Sequence, residues 1–286
     1  MTNVRLKNGA PDIGVIICYF GAFPWYFEYF IHSCRYNKTV DFYIITDNDV
    51  ADKYPSDNIR FITMTLDELN DLVSSKLGVK TCITTGYKLC DFKPMYGLIF
   101  DDLLRQYKYW AQSDIDVIYG DLRYFLDELI SADYDYISVR HDFTTGCFSV
   151  FKNIPLVNNL FWRSKDIGKV LSSETHYCFD ECNFVQQLLT DGKEIWDINT
   201  EIYSYTHIIK EAERSQEIKP HFDFILLEGV TGKIRFDHGK LIYNNQFEAI
   251  LYHLYELKKV YKPKSAPKDI PGKFSISPTR IYFHVI

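Results

Sequence analysis

Two aspartates one residue apart, Asp114 and Asp116, stand in the run "SDIDVIYGD", with a third acid, Asp121, just past the next glycine. Side chains at i and i+2 of a strand share one side, so a strand here projects both carboxylates together while Ile115 and Val117 face the core. Two like charges this close repel, and exposure, protonation or a bound cation must relieve them. A hard divalent ion held by carboxylates keeps open positions for water and phosphate oxygens, which suits such a pair to gripping a diphosphate. The bland alternative is a half-exposed strand with acidic outward positions. Other groups offer different chemistry: "CFDEC" sets Asp180 and Glu181 before a helix, and "RHDFTTG" sets His141 and Asp142 between strands, all of them candidate general bases. His176, Cys178 and Cys182 lack a fourth ligand and fit no standard zinc spacing.

The elements that must place these groups read as alternating strands and helices. "IGVIICYF" is a strand, "PWYFEYFIHSCRYN" a helix, "DFYIITD" a second strand and "IRFITM" a third. "TLDELNDLVSSKLG" is a helix with Thr65 as N-cap, Glu68 three residues on and Gly78 at its end. Pro94 opens "FKPMYGLIFDDLLRQY", where Met95, Leu98, Ile99, Leu103 and Leu104 predict one buried helical face. "YWAQSDIDVIYGD" is the fourth strand, "YDYISVR" and "TGCFSVFKN" are two more, and "FDECNFVQQLLTDG" is a helix closed by Gly192. Residues 195–250 mix short strands with the turn signals "TGK" and "DHGK", and "YKPKSAPKDIPGK" reads as a linker or surface wrap. This order predicts an α/β fold with a mainly parallel sheet and ligands at the carboxyl ends of its strands, where the two aspartates fall.

At this point the chain resembles a known family. "SDIDVIYGDL", about a hundred residues after the strand "VIICYFG", resembles the DxD motif of GT-A glycosyltransferases, and the layout over roughly residues 13–258 is similar to bacterial capsule and lipooligosaccharide transferases of that type. The resemblance implies a GT-A (Rossmann-like), mostly parallel sheet flanked by helices, with a small mixed C-terminal part. It implies transfer of a sugar from a nucleotide sugar, a UDP-sugar foremost, to a glycan or lipid-linked acceptor in surface polysaccharide synthesis. Mn²⁺ or Mg²⁺ would clamp the diphosphate, with Asp116 a direct ligand and Asp114 on the metal or the ribose. A late histidine followed by a phosphate-binding lysine points to His253 with Lys258 or Lys259; His207 and His238 compete for the first role.

The family's Asp that precedes an Arg by three residues maps onto Asp91 in "YKLCDFKPMYG", but Pro94 stands in the Arg position, leaving Lys88 and Lys93 as the nearest cations for a donor sugar. For the nucleoside, the ends of the first two strands supply Tyr19, Phe20, Gly21 and Asp47. Asp180, Glu181 and Lys258 are the candidate catalytic groups. The paired aspartates and late histidine resemble retaining enzymes, although inverting families share both.

Composition bounds the alternatives. The 286 residues carry a net charge of −6, but residues 258–286 hold seven Lys/Arg against one acid, a net +6 that leaves −12 on the remainder. An acidic body argues against nucleic acid, while the basic extension could meet anionic lipid at the inner face of a membrane; a solvated extension is the plainer reading. No run approaches the roughly 18 apolar residues of a membrane span, the first twelve residues hold no signal peptide, and seven cysteines without CxxC pairs suit a reducing cytoplasm. The predicted division is a transferase domain over residues 1–258, with a nucleotide-binding half at about 13–121 and an acceptor half at about 122–258, then the basic, Pro-containing extension at 259–286. A sugar-phosphate nucleotidyltransferase is disfavoured because "CYFGAFPWYF" has one glycine where a phosphate loop needs several. A non-catalytic glycan-binding protein on a degenerate transferase fold is the alternative of another class.

Overall fold

A computed structural model describes residues 12–283 apart from Thr231, Ala266 and Lys268. The reading of the N-terminal segment therefore lies almost wholly outside the described residues. The strands are β1 (Ile13–Cys18), β2 (Asp41–Thr46), β3 (Ile59–Thr63), β4 (Tyr109–Ser113), β5 (Val117–Tyr119), β6 (Tyr136–Ser138), β7 (Phe148–Lys152), β8 (Pro220–Phe222), β9 (Leu226–Leu227), β10 (Ile234–Asp237), β11 (Lys240–Tyr243), β12 (Phe247–Ala249), β13 (Leu251–His253), β14 (Lys273–Ser277) and β15 (Arg280–Phe283). A seven-stranded sheet of order β3-β2-β1-β4-β7-β6-β8 forms the centre, parallel from β3 to β4 and antiparallel on both sides of β7. The α/β class and the flanked, mostly parallel sheet are as the residue pattern predicts.

Strand residues alternate between two cores because successive side chains leave opposite faces of a pleated sheet. Ile16 and Trp110 enter the core on one face, and Val15, Ile17 and Ala111 enter the other. The helix α1 (Phe27–Tyr36) covers the second face with Phe27, Phe30, Ile31 and Cys34. The helix α2 (Leu66–Leu77) starts at a capping box between Thr65 and Glu68 and ends at Gly78 in the left-handed conformation, as its sequence predicts.

Three segments depart from expectation. The "fourth strand" is two: β4 belongs to the central sheet and ends at Ser113, whereas β5 pairs with β13 in a separate sheet of order β5-β13-β9. Asp114 and Asp116 thus sit in the crossing between sheets, not inside a strand. The predicted helix around Pro94 is a 3₁₀ segment, Gly86–Met95, continued by short helical turns at Tyr96–Ile99 and Asp101–Leu104; Met95, Ile99 and Leu104 are buried, with Leu98 and Leu103 half-buried. The predicted helix from Phe179 begins only at Gln186, because Cys178, Asn183 and Phe184 all have positive φ and wind the chain into turns.

Within the basic C-terminal segment, β14 and β15 form a hairpin, and β14 pairs with β10 in a five-stranded antiparallel sheet. Phe236 and Phe274 of that sheet stack at 4.7 Å and pack, with Ile234, Ile276 and Ile281, around Tyr29 of α1. This part of the segment is structural and not a solvated tail. Among the described residues no helix is long and apolar enough to cross a membrane.

Candidate active site

The crossing from β4 to β5 brings the expected metal ligands together through register. Val117 lies opposite His253 in the antiparallel β5–β13 pair, and the Leu254 N–H donates to the Asp116 carbonyl at 2.8 Å. One ligand atom each from Asp114, Asp116 and His253 falls within 4.8 Å of the others. Close backbone approach makes this possible: a Cβ on Gly120, at the end of β5, would stand 2.4 Å from the Ala249 carbonyl oxygen. Glycine is required there.

Each carboxylate already meets a cation. The Lys258 ammonium, carried on the turn Leu257–Val260 just after β13, donates to Asp116 Oδ2, and His253 Nε2 lies 3.4 Å from the same oxygen. Burial pushes the Asp116 carboxyl up, but His253 and Lys258 outweigh it and hold the group well below the usual range. Burial depresses His253, yet its bonds to Asp116 and Glu228 prevail and lift it to about 10. Lys93 donates to Asp114 Oδ1 at 2.6 Å and to the Gly146 carbonyl at 2.7 Å, and lies 3.7 Å from Asp180 Oδ2.

Sequence reasoning missed the outer ring of this site. Glu228, directly after β9, bonds His253 Nδ1 at 2.7 Å, and its other oxygen accepts from Arg140 at 2.8 Å. Arg140 in turn forks onto Asp142 at 2.8 and 2.6 Å, so Asp142 is held by the guanidinium. This chain orients the imidazole as a second sphere orients metal-binding histidines. Tyr26, the N-cap of α1, was also missed; burial raises its phenol, and Asp116 and Asp114 are among the charges that add to this. The only available signal was the acid closing the apolar pair in "ILLEG".

Tyr19, Phe20, Gly21 and Asp47 gather at the carboxyl ends of β1 and β2. The Gly21 N–H donates to Asp47 Oδ1 at 2.8 Å, and Gly21 takes a φ of +98°. Burial raises the Tyr19 phenol, opposed by Lys258 and assisted by Asp116 and Asp47. Asp180 and Glu181 meet the site at Lys93 and Gly146. A Cβ on Gly146 would meet Asp180 Oδ2 at 2.5 Å and Glu181 Oε1 at 2.9 Å, and the Gly146 N–H donates to Glu181 at 2.8 Å. Asp180 is buried with Oδ1 unpartnered; burial, opposed by Lys93 and reinforced by Glu181, raises its carboxyl far above the ordinary value.

Lys88 and Asp91 do not reach this space. Both are 0% exposed, and the Lys88 ammonium commits its protons to Asp91 at 2.8 Å and to the Val170 and Thr175 carbonyls at 2.7 Å each. No donor remains for a ligand, which corrects the expected sugar-binding role of Lys88. Asp91 is likewise enclosed by the Tyr177 and Phe179 N–H groups and His176. The competing histidines lie elsewhere: His207 caps the helix Tyr205–Arg214 through Ser204, and His238 occupies the β10–β11 turn.

The carboxylate–carboxylate–imidazole set suits a hard or borderline divalent ion, and the two lysines pressed onto it mark a place that demands positive charge. The model of a family of unknown function (DUF6625) matches residues 15–284. No curated protein matches the chain. Among solved structures it is similar to mouse xyloside xylosyltransferase 1 in its apo form, at 9% identity over 85% of this chain and 97% of that one, with a TM-score of 0.45. It is also similar to the mannosyltransferase Ktr4p from S. cerevisiae, at 19% identity over 48% of this chain, with a TM-score of 0.32. The same enzyme in complex with GDP aligns at 18% identity over 45% of this chain and 40% of that one, with a TM-score of 0.28. The chain spans 41% of the length of the mannosyltransferase.

Proposed function

We propose that this chain, which belongs to the family of unknown function (DUF6625), is a metal-dependent glycosyltransferase of GT-A type that uses a nucleotide-diphosphate sugar, a UDP-sugar by preference. The observation that carries this reading is the convergence of Asp114, Asp116 and His253 within 4.8 Å, beside the carboxyl ends of the parallel strands. Asp114, Asp116 and His253 would hold Mn²⁺ or Mg²⁺, which when bound neutralises the diphosphate and favours its departure. Glu228 and Arg140 orient His253 for that role. Lys258 sits where its ammonium can turn from Asp116 to a phosphate oxygen, an electrostatic contribution that grows as the leaving group gains charge. Tyr19 and the Gly21–Asp47 turn offer a ring and hydrogen-bonding groups to the nucleoside. We assign Glu181, half-buried and held by the Gly146 N–H, to the acceptor hydroxyl. We assign the acceptor to surface-glycan synthesis on a lipid-linked or glycan chain, with the enzyme cytoplasmic and its basic segment facing lipid.

A second reading, a non-catalytic glycan-binding protein, draws on one observation: Lys93 and Lys258 each pair with one of the two aspartates. Thermal unfolding with UDP, GDP, CDP or ADP, each with and without Mn²⁺, separates the two, because a ligand that binds only the native state raises its melting temperature. A stabilisation that needs both nucleotide and Mn²⁺, and that Asp116→Ala abolishes, is the expected result. No stabilisation by any pair would sink the transferase reading.

A further inference from the structure

The transferase reading leaves one buried network unused. Asp91, wholly enclosed and paired with Lys88, grips the loop that leads to Asp180: its Oδ1 lies 3.0 Å from His176 Nδ1 and accepts from the Phe179 N–H at 2.9 Å, and its Oδ2 accepts from the Tyr177 N–H at 3.0 Å. The ring of His176 is thereby locked. It meets Tyr87 edge-on at 4.5 Å between centroids and Phe184 at 5.4 Å with the planes perpendicular. Yet Tyr87 is 69% exposed and Phe184 58%. Single exposed rings need no explanation, but two flanking a fixed third one at the rim of a site do.

The backbone gives a second reason. Phe184 has φ +62° and follows Asn183 at φ +57°, a conformation unfavourable for a bulky side chain. Buried Asn183 enforces it, its amide donating to the Tyr177 carbonyl at 2.9 Å and its oxygen accepting from the Glu201 N–H at 2.7 Å. On this backbone the Phe184 ring stands 58% exposed. The cluster adjoins the candidate acids through Cys178, whose N lies 3.4 Å from His176 Nδ1 and whose Sγ lies 3.4 Å from Glu181 Oε2.

We infer that Tyr87 and Phe184, braced by the largely buried ring of His176, form a platform on which a pyranose ring of the acceptor saccharide stacks, with Lys88, Asp91 and Asn183 as its positioning residues. A pyranose has a face of C–H groups that packs on aromatic rings and an edge of hydroxyls that needs acceptors such as Glu181, and the rim supplies both. That the bound saccharide is an acceptor rests on the transferase reading; that a saccharide binds here does not.

The test is binding of the full-length chain to arrayed oligosaccharides in the presence of UDP and Mn²⁺, with Tyr87→Ala, Phe184→Gly and Tyr87→Phe compared with the parent. Each lost ring is expected to weaken retention about tenfold, the upper range for an aromatic contact, while Tyr87→Phe keeps the parent signal. Phe184→Gly suits its positive φ, so its melting temperature should not fall and lost binding cannot be blamed on unfolding. Parent-like retention by Tyr87→Ala and Phe184→Gly, or no saccharide retained by the parent, overturns the platform. The nucleotide-dependent thermal shift is read separately. Ring-dependent saccharide binding without that shift keeps the platform and removes the transferase reading; the shift with ring-independent binding does the reverse.

Discussion

His253 Nε2 stands 3.4 Å from Asp116 Oδ2, while His253 Nδ1 is held at 2.7 Å by Glu228. An imidazole between two carboxylates keeps its second proton, and the group is raised from 6.5 to about 10. Metal binding needs the neutral ring and must expel that proton. Mn²⁺ affinity is therefore expected to rise as pH climbs toward 10, by up to about tenfold per unit. Calorimetry in buffers of different ionisation enthalpy should record proton release. In the metal-free protein the sign for stability is opposite: the raised group stabilises fully below pH 6.5, and that contribution is lost as pH rises through about 10.

Lys88→Met tests whether the buried pair is structural. Removing one partner strands Asp91 in a site with no solvent contact, and the expected loss is about 3 kcal/mol of unfolding free energy in urea. Nucleotide-dependent stabilisation should keep its size in this variant, because Lys88 has no proton free for a ligand. A selective loss of nucleotide binding at unchanged stability would count against this placement.

Gly146→Ala puts a methyl group 2.5 Å from Asp180 Oδ2 and 2.9 Å from Glu181 Oε1. Both acids must shift, and Asp180 lies 3.7 Å from the Lys93 ammonium. The expected cost is roughly 1–3 kcal/mol of stability. Under the proposed function, sugar transfer should fall much further than nucleotide binding, which single-turnover kinetics beside nucleotide titration would resolve.

Acid should weaken the fold through two histidines. His32, whose Nε2 is buried without a partner, and His207 are both lowered to about 4, chiefly by burial. Their unfolded forms take up protons from about pH 6.5 downward while the folded forms do not, so stability is lost as pH falls from 6.5 toward 4. His32→Phe, placed among Tyr36, Phe236 and Phe274, should flatten that slope in urea melts at stepped pH.

What could be read from the chain followed the range of the interactions. The capping box at Thr65 and Glu68 and the strands β1 to β3 are local, and the residue pattern holds them fully. The pairing of Asp114 and Asp116 with His253 was legible through the family resemblance, but its cause, the β5–β13 register, is nonlocal. The same nonlocality hid the split of the fourth strand, since "SDIDVIY" carries nothing that says Ser113 and Val117 enter different sheets. Lys88 and Asp91 misled because charged residues are rarely fully buried. Glu228 and Arg140 were invisible because an acid and a base 88 residues apart become partners only once β9 lies beside β13.

The hairpin β14–β15 has a bearing on how the molecule is made. It closes the aromatic cluster around Tyr29, a residue of the first helix. During synthesis at about 5–20 residues per second, that helix waits for the far end of the chain before this part of its surface is covered. Such distant contacts also slow folding itself. A nascent chain halted before residue 273 would display the exposed faces of Phe236 and Tyr29, a target for chaperones and a starting point for aggregation.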